Sequence, residues 1–287
     1  MKQIKRILLT AVAILSYSIT ASAYYDFILD GIFYSITSST DLEVEVTYTG
    51  YSYNDNKYTG EITIPESVIY NNTTYRVARI DNFAFYGCSS LTSATIGNGV
   101  TSIGGSAFYG CSSLTSVTIP DSVTSIGSSA FSGCSSLTSV TIPDSVTSIG
   151  KYVFYGCSSL TSVTIGNSVT SIGNSAFSYC NSLTSIAIPD SITEIGAYAF
   201  SGCTSLTSIT IPDSVTWIGN SAFDGCTSLT SATIGTSVTS IGNNAFEDCK
   251  SLTSITIPDS VTSIGRSAFD GCKSLARVDI SNLSAWC

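Results

Sequence analysis

IGSSAFSGCSSLTSVTIPDSVTS, residues 126–148, is the unit whose reading decides the fold, because it recurs nine times with no insertion or deletion. Cysteine marks the period: Cys88, Cys111, Cys134, Cys157, Cys180, Cys203, Cys226, Cys249 and Cys272 lie 23 residues apart. A fixed period of this length is the signature of a solenoid of stacked coils. Within the unit Ile126, Ala130, Phe131, Cys134, Leu137, Val140, Ile142 and Val146 are apolar, and Ser, Thr, Gly and Asp fill the gaps. Leu137, Val140 and Ile142 end in period-two alternation, which predicts a short strand with Val140 and Ile142 inward. Phe131 and Cys134 stand three apart, the spacing of one tight helical or 3₁₀ turn. Pro143-Asp144 ends the strand, and residues 146–149 give a second extended piece.

One copy cannot hold itself together. Its few apolar groups return less than the entropy lost in ordering 23 backbone units. Neighbours must cover both open faces, which pairs each strand in parallel with its counterpart one unit away at ~4.8 Å. Nine copies then make a rod of roughly 40 Å.

The pattern Ile-Gly-x-x-Ala-Phe-x-x-Cys-x-x-Leu-x-x-Val-x-Ile-Pro-x-x-Val resembles the BspA-type (Treponema-type) leucine-rich repeat of bacterial surface proteins, and the resemblance covers residues 80–280. It implies an α/β, right-handed leucine-rich-repeat solenoid, export from a bacterial cell, and adhesion to host or partner proteins. It implies no catalytic residue.

The flanks are read from their own residues. Residues 1–23 read as a Sec-type signal peptide: Lys2, Lys5 and Arg6, an apolar stretch over 7–19, and Ala21-Ser22-Ala23 as the cleavage site. After cleavage no membrane insertion is expected. Residues 24–79 are expected to form a β-rich N-terminal cap ending in a degenerate first repeat. Asp30-Gly31 and Asn71-Asn72 mark hairpin turns there, and Leu42-Glu43-Val44-Glu45-Val46 alternates as a strand. A first coil needs such a cover for its apolar face and sheet edge. Residues 80–280 hold the nine repeats, and 281–287 form a short end where Trp286 folds over the last coil or the chain has been cut short. Glycine replaces the turn proline at Gly97, Gly166 and Gly235, 69 residues apart, which hints at duplication of three-copy blocks.

Composition narrows the function. The chain has 11 basic and 20 acidic residues, no His, and a net charge of −9, and residues 1–23 hold three of the cations. An acidic surface argues against nucleic acid and against anionic membranes. Serine is abundant, but no histidine can activate it, so no enzyme activity and no cofactor are expected. The cysteine ladder reads as a buried packing row, with disulfides and a metal site as alternatives; no CxxC and no His completes a metal site. Cys287 falls outside the ladder. The aspartates of the Pro-Asp-Ser turn (Asp121, Asp144, Asp190, Asp213 and Asp259) read as caps of their own turn.

A ligand must be recognised where the copies differ. The slot before Ile-Gly is Ser in most copies but Glu194 and Trp217 in adjacent ones; Tyr198 is near in sequence and Ala187 interrupts a Thr row. These four are the candidate binding patch, Trp217 as anchor. The slot two before Cys holds Tyr86, Tyr109 and Tyr155 early, then Asp224, Glu247 and Asp270, a candidate acidic edge. Lys250 and Lys273 stand three residues after Glu247 and Asp270, a helix-type pairing distance. Arg277 and Asp279 replace the Ser/Thr strand pair in the last copy. The expected function is a monomeric, secreted or cell-surface protein that binds other proteins, such as extracellular-matrix or cell-surface proteins. The alternative is a passive spacer, or a fragment whose functional domain lies beyond Cys287.

Overall fold

The computed structural model describes residues 25–48 and 58–280. The expected signal peptide, Trp286 and Cys287 lie outside the described residues. Two series of short parallel strands follow the array, each broken into successive sheets. One uses the slot of Ser139–Ile142, as in its register with Ser162–Ile165. The other uses the two-residue slot of Ser125–Ile126, Glu194–Ile195 and Trp217–Ile218. Each coil is named here by its cysteine, coil 1 at Cys88 to coil 9 at Cys272.

The third side of each coil corrects the sequence expectation. No helix forms among the described residues; the segment after Ile-Gly is a run of turns, so the solenoid is built of strands and turns. In coil 3, the N–H groups of Ala130, Ser132 and Cys134 donate to the carbonyls of Gly127, Ser129 and Phe131, three residues back. The N–H groups between them, on Ser129, Phe131 and Gly133, donate to Lys151, Val153 and Tyr155 of the next coil at 2.7–2.9 Å. Ser129 (φ 58°) and Gly133 (φ 74°) are left-handed, as the third residue of a type II turn must be. Alternating bonds of this kind cannot continue into a helix, although they leave Phe131 and Cys134 pointing inward three residues apart.

The core is a set of ladders. Phe85, Phe108, Phe131, Phe154, Phe177, Phe200, Phe223, Phe246 and Phe269 stack ring on ring at 4.8–5.6 Å, near-parallel, within the range of favourable aromatic pairs. Beside them the nine ladder cysteines are free thiols, eight of them buried. From coil 2 onward each Sγ–H donates to the phenylalanine carbonyl of the coil before: Cys134 to Phe108 at 3.1 Å, Cys157 to Phe131 at 3.2 Å. The same carbonyl already accepts the N–H of its own coil's cysteine, so the thiol fills its second lone pair in a place closed to water. Burial pushes Cys88 up to about 11 and Cys157 and Cys203 up to about 12. Cys272 is half-buried, and its interaction with the neighbouring Cys249 thiol lowers it from the usual thiol value.

Hydroxyls work the same way on the outside. Thr138 Oγ1 donates to the Thr115 carbonyl, Thr170 Oγ1 to Thr147 and Ser145 Oγ to Val123, each one coil back, and equivalent bonds recur along the array. Asp144 and Asp213 do not cap their own turns as expected. Their Oδ1 atoms accept the N–H of Asn167 and Thr236 in the next coil, both at 2.6 Å. Those are the coils in which glycine replaces proline. A Cβ on Gly166 would lie 2.6 Å from the Pro143 carbonyl oxygen, and one on Gly235 2.3 Å from that of Pro212. The three-coil glycine pattern therefore marks corners where one backbone lies directly on another. Where Pro120 and Pro143 follow in consecutive coils, the ladder is interrupted between Ser116–Thr118 and Ser139–Ile142, leaving a shallow cleft lined by Val117, Thr118, Val140 and Thr141.

The N-terminal strands close the first coil. β1 (Phe27–Leu29) and β2 (Ile32–Ser38) form an antiparallel hairpin through Asp30 and Gly31, both with positive φ. β3 is Glu43–Thr47 and β4 is Gly60–Ile64. β5 (Ser67–Tyr70) and β6 (Thr73–Ile80) form the second hairpin through Asn71 and Asn72. β4 pairs in parallel with Leu91–Ile96, and the end of β6 with Ser102–Ile103, so both ladders begin here. Tyr58 packs at a tilt of 59° against Phe85, with centroids 4.7 Å apart, and covers the end of the ring stack. At the seam, burial and then the charge of Asp81 push the Glu45 carboxyl up to about 7, more than Arg79 at 3.7 Å offsets. Asp81 is also raised, chiefly by burial.

Three outcomes follow. Gly166→Ala drives a methyl into the Pro143 backbone and lowers stability by about 1–3 kcal/mol in denaturant unfolding. In native protein at pH 8, alkylation followed by mass spectrometry finds Cys272 modified first among the ladder thiols, with Cys134 and Cys180 untouched until the chain is unfolded. A carboxyl whose folded pKa exceeds its unfolded one holds its proton more tightly when folded. The seam therefore loses stability as pH rises from about 4.5 to about 7. Hydrogen exchange over Glu43–Thr47, corrected for its intrinsic pH dependence, is less protected at pH 8 than at pH 5, and Glu45→Gln removes most of the difference.

Candidate functional site

The interior repeats, so the side chains that distinguish one part of this rod from another lie on its surface. The two-residue strands bring together half of the patch predicted from sequence. Glu194 and Trp217 are register partners in adjacent coils, flanked by Ser171 and Ser240. Glu194 is exposed, and Trp217 is 36% exposed. Large exposed aromatics beside a carboxylate suit a protein contact. Tyr198 and Ala187 are not register partners of this pair. Tyr198 stands in the turn run with φ 58°, in the slot that Ser221 takes in the coil of Trp217. Ala187 lies in residues 185–188, which form no strand.

The acidic edge is in register. The Gly225 N–H donates to the Glu247 carbonyl and the Asp248 N–H to the Asp270 carbonyl, both at 2.8 Å, so these acids stand coil on coil. Partial burial, then Glu247 and Asp248, raises the Asp224 carboxyl above its usual value. The expected pairing of Lys250 with Glu247 does not form. Lys250 Nζ reaches Asp248 at 3.6 Å, while Glu247 accepts from the Asn244 amide. The helix spacing behind that expectation has no helix to act on. Arg277 and Asp279 pair with each other at 2.6 Å on the last strand.

Sequence reading missed the feature that joins these residues. Tyr86 and Tyr109 stack at 4.9 Å. Further along, Tyr155 meets Tyr152 edge-on at 5.9 Å and Tyr179 at 5.5 Å. The Tyr179 ring lies over Gly202, where a Cβ would come within 2.7 Å of it. These rings and Tyr198 occupy slots five, two and one before cysteine, all in the turn run. Inspecting one slot at a time divides a single surface among three columns. The turn edge thus carries tyrosines in coils 1, 2, 4, 5 and 6 and acids from coil 7 to coil 9. Among the described residues no three His, Cys, Asp or Glu side chains gather as a metal site would require.

The family model for the BspA type leucine rich repeat region matches residues 78–207 and 170–285. Among solved structures, a leucine-rich repeat protein from Bacteroides ovatus shares 30% identity over 91% of this chain and 89% of that one, with a TM-score of 0.46. A leucine rich cell surface protein from Faecalibacterium prausnitzii shares 26% over 94% and 98%, with a TM-score of 0.44. The T. pallidum leucine rich repeat protein shares 26% over 85% and 87%, with a TM-score of 0.46. A search of curated proteins finds no match. With the matched regions running from residue 78 to 285 and the 23-residue coil in register throughout, the chain belongs to the BspA type leucine rich repeat family.

Proposed function

We propose that this is a non-catalytic binding protein, exported to the cell surface or beyond it, that acts by gripping other proteins. The observation that carries the reading is the contrast between its layers. Phe, Cys and Leu recur at one slot each from coil 1 to coil 9, while Trp217, Glu194 and the turn-edge tyrosines depart from the repeat on the outside. A spacer needs only the interior; outward departures that add exposed aromatics suit recognition. The apolar leader over residues 1–23 supports export. Right-handed winding, the rule for parallel strand crossovers, belongs to this reading, and so does action as a monomer.

Glu194 and Trp217 make the first anchor. The indole supplies rigid apolar area and the carboxylate fixes polarity, an arrangement that favours a partner with a cationic or amide group beside an apolar pocket. The test is surface plasmon resonance of the mature chain against purified extracellular-matrix and bacterial surface proteins. Saturable binding of micromolar strength is expected to at least one, and Trp217→Ala weakens it about tenfold, or ~1.4 kcal/mol. The absence of saturable binding across the panel overturns the function, and binding indifferent to both Trp217→Ala and Glu194→Ala overturns the anchor.

A further inference from the structure

The tyrosines of the turn edge are not what the turn needs. In coil 5 Tyr179 holds φ 60° in the slot that glycine fills in coils 1 to 4, 6, 7 and 9. Tyr152 and Tyr198 hold φ 59° and 58° in a slot where Ser106, Ser129, Ser175, Ser221 and Ser267 serve. A bulky residue at positive φ is an unfavourable choice, and strain kept where a smaller residue suffices is a mark of use. Nor are these rings buried in recompense: Tyr152 is 45%, Tyr155 37%, Tyr179 50% and Tyr198 49% exposed. In the coils that follow, the same edge carries Asp224 and Glu247, close enough for Glu247 to disfavour the charge on Asp224.

We propose that the edge from coil 4 to coil 8 is a docking strip for an extended, arginine-bearing segment of a partner protein. The inference rests on the protein-binding reading and gives the partner its chemistry. Exposed tyrosine faces take guanidinium groups by cation–π contact and planar stacking. The carboxylates of Asp224 and Glu247 accept the paired N–H donors of a guanidinium, and a cation there relieves their mutual repulsion. Lys250 does not fill this role, since it reaches Asp248. The other non-glycine residue in the slot of Tyr179 is Asp248 (φ 53°), so the two departures from glycine are one ring and one carboxylate on the same edge. Five coils at ~4.8 Å span roughly 20 Å between first and last, the length of about six extended residues.

The test uses the mature chain and a fluorescein-labelled ten-residue peptide with four arginines alternating with small residues, read by anisotropy. The controls are the same peptide with glutamates for arginines and a neutral oligosaccharide. The double variant Tyr179→Gly, Tyr198→Ser installs the residues of neighbouring coils, so its melting temperature stays level or rises. Its affinity for the arginine peptide falls at least tenfold. Asp224→Asn weakens binding several-fold and flattens its dependence on salt. Equal binding of the glutamate peptide, an unaltered dissociation constant in the double variant, or tyrosine-dependent binding of the oligosaccharide in place of the peptide each overturns the strip. If the double variant changes nothing while Trp217→Ala abolishes capture of a partner protein, the strip falls and the binding function stands. If neither the peptide nor any partner protein binds, both fall.

Discussion

The constraint on which everything else depends is that a coil of this length cannot satisfy its own peptide groups. A helix closes its hydrogen bonds four residues away and a hairpin closes them across a turn. Here the turn edge donates forward to the next coil, as Phe131 does to Val153, and the strand side donates back, as Thr138 does to Thr115. Every interior coil is thus bonded in both directions, and a shift of one residue would break both sets together. That is why the unit tolerates no insertion between Cys88 and Cys272, and why the longer stretch from Val68 to Ile80, twelve positions against three from Val146 to Ile149, is placed in the β5–β6 hairpin, where the chain leaves the stack and returns to it.

The composition follows from the same constraint. Serine and threonine are abundant because a carbonyl facing the neighbouring coil has two lone pairs and the backbone supplies one donor; a hydroxyl on a short side chain supplies the second. Inside, where a hydroxyl would need further partners, the weak donor of a thiol suffices and packs as a small apolar group. The two roles explain why Cys stays at one slot while Ser and Thr share theirs.

Much of the fold was legible in the sequence. The period fixed the stack, the alternation around Val140 placed the strands, and Asp30-Gly31 and Asn71-Asn72 marked both hairpins. The turn run was misread because Phe131 and Cys134 stand three apart in a helical turn and equally in two overlapping tight turns; only the positive φ of Ser129 separates them, and serine gives little sign of it. The meaning of Gly97, Gly166 and Gly235 was equally hidden, since close approach of two backbones is a property of neighbouring coils. At the candidate site, slot-by-slot comparison found the Glu194–Trp217 pair, which shares one slot, but it attached Tyr198 by nearness in sequence and Ala187 because it interrupts a Thr row. A coil's successive residues face different ways, so nearness in sequence is a poor guide to nearness on the surface.

The direction of the bonds between coils has a mechanical consequence. They lie along the axis of the stack, so a pull on the two ends meets them in series, one coil at a time, as in opening a zipper. Each coil that lets go releases 23 residues, roughly 75 Å of extended chain at ~3.3 Å per residue, from a height of ~4.8 Å. A short rod of this construction is therefore a store of slack. Under load it lengthens by steps, and it rewinds on whatever part of the stack is still standing.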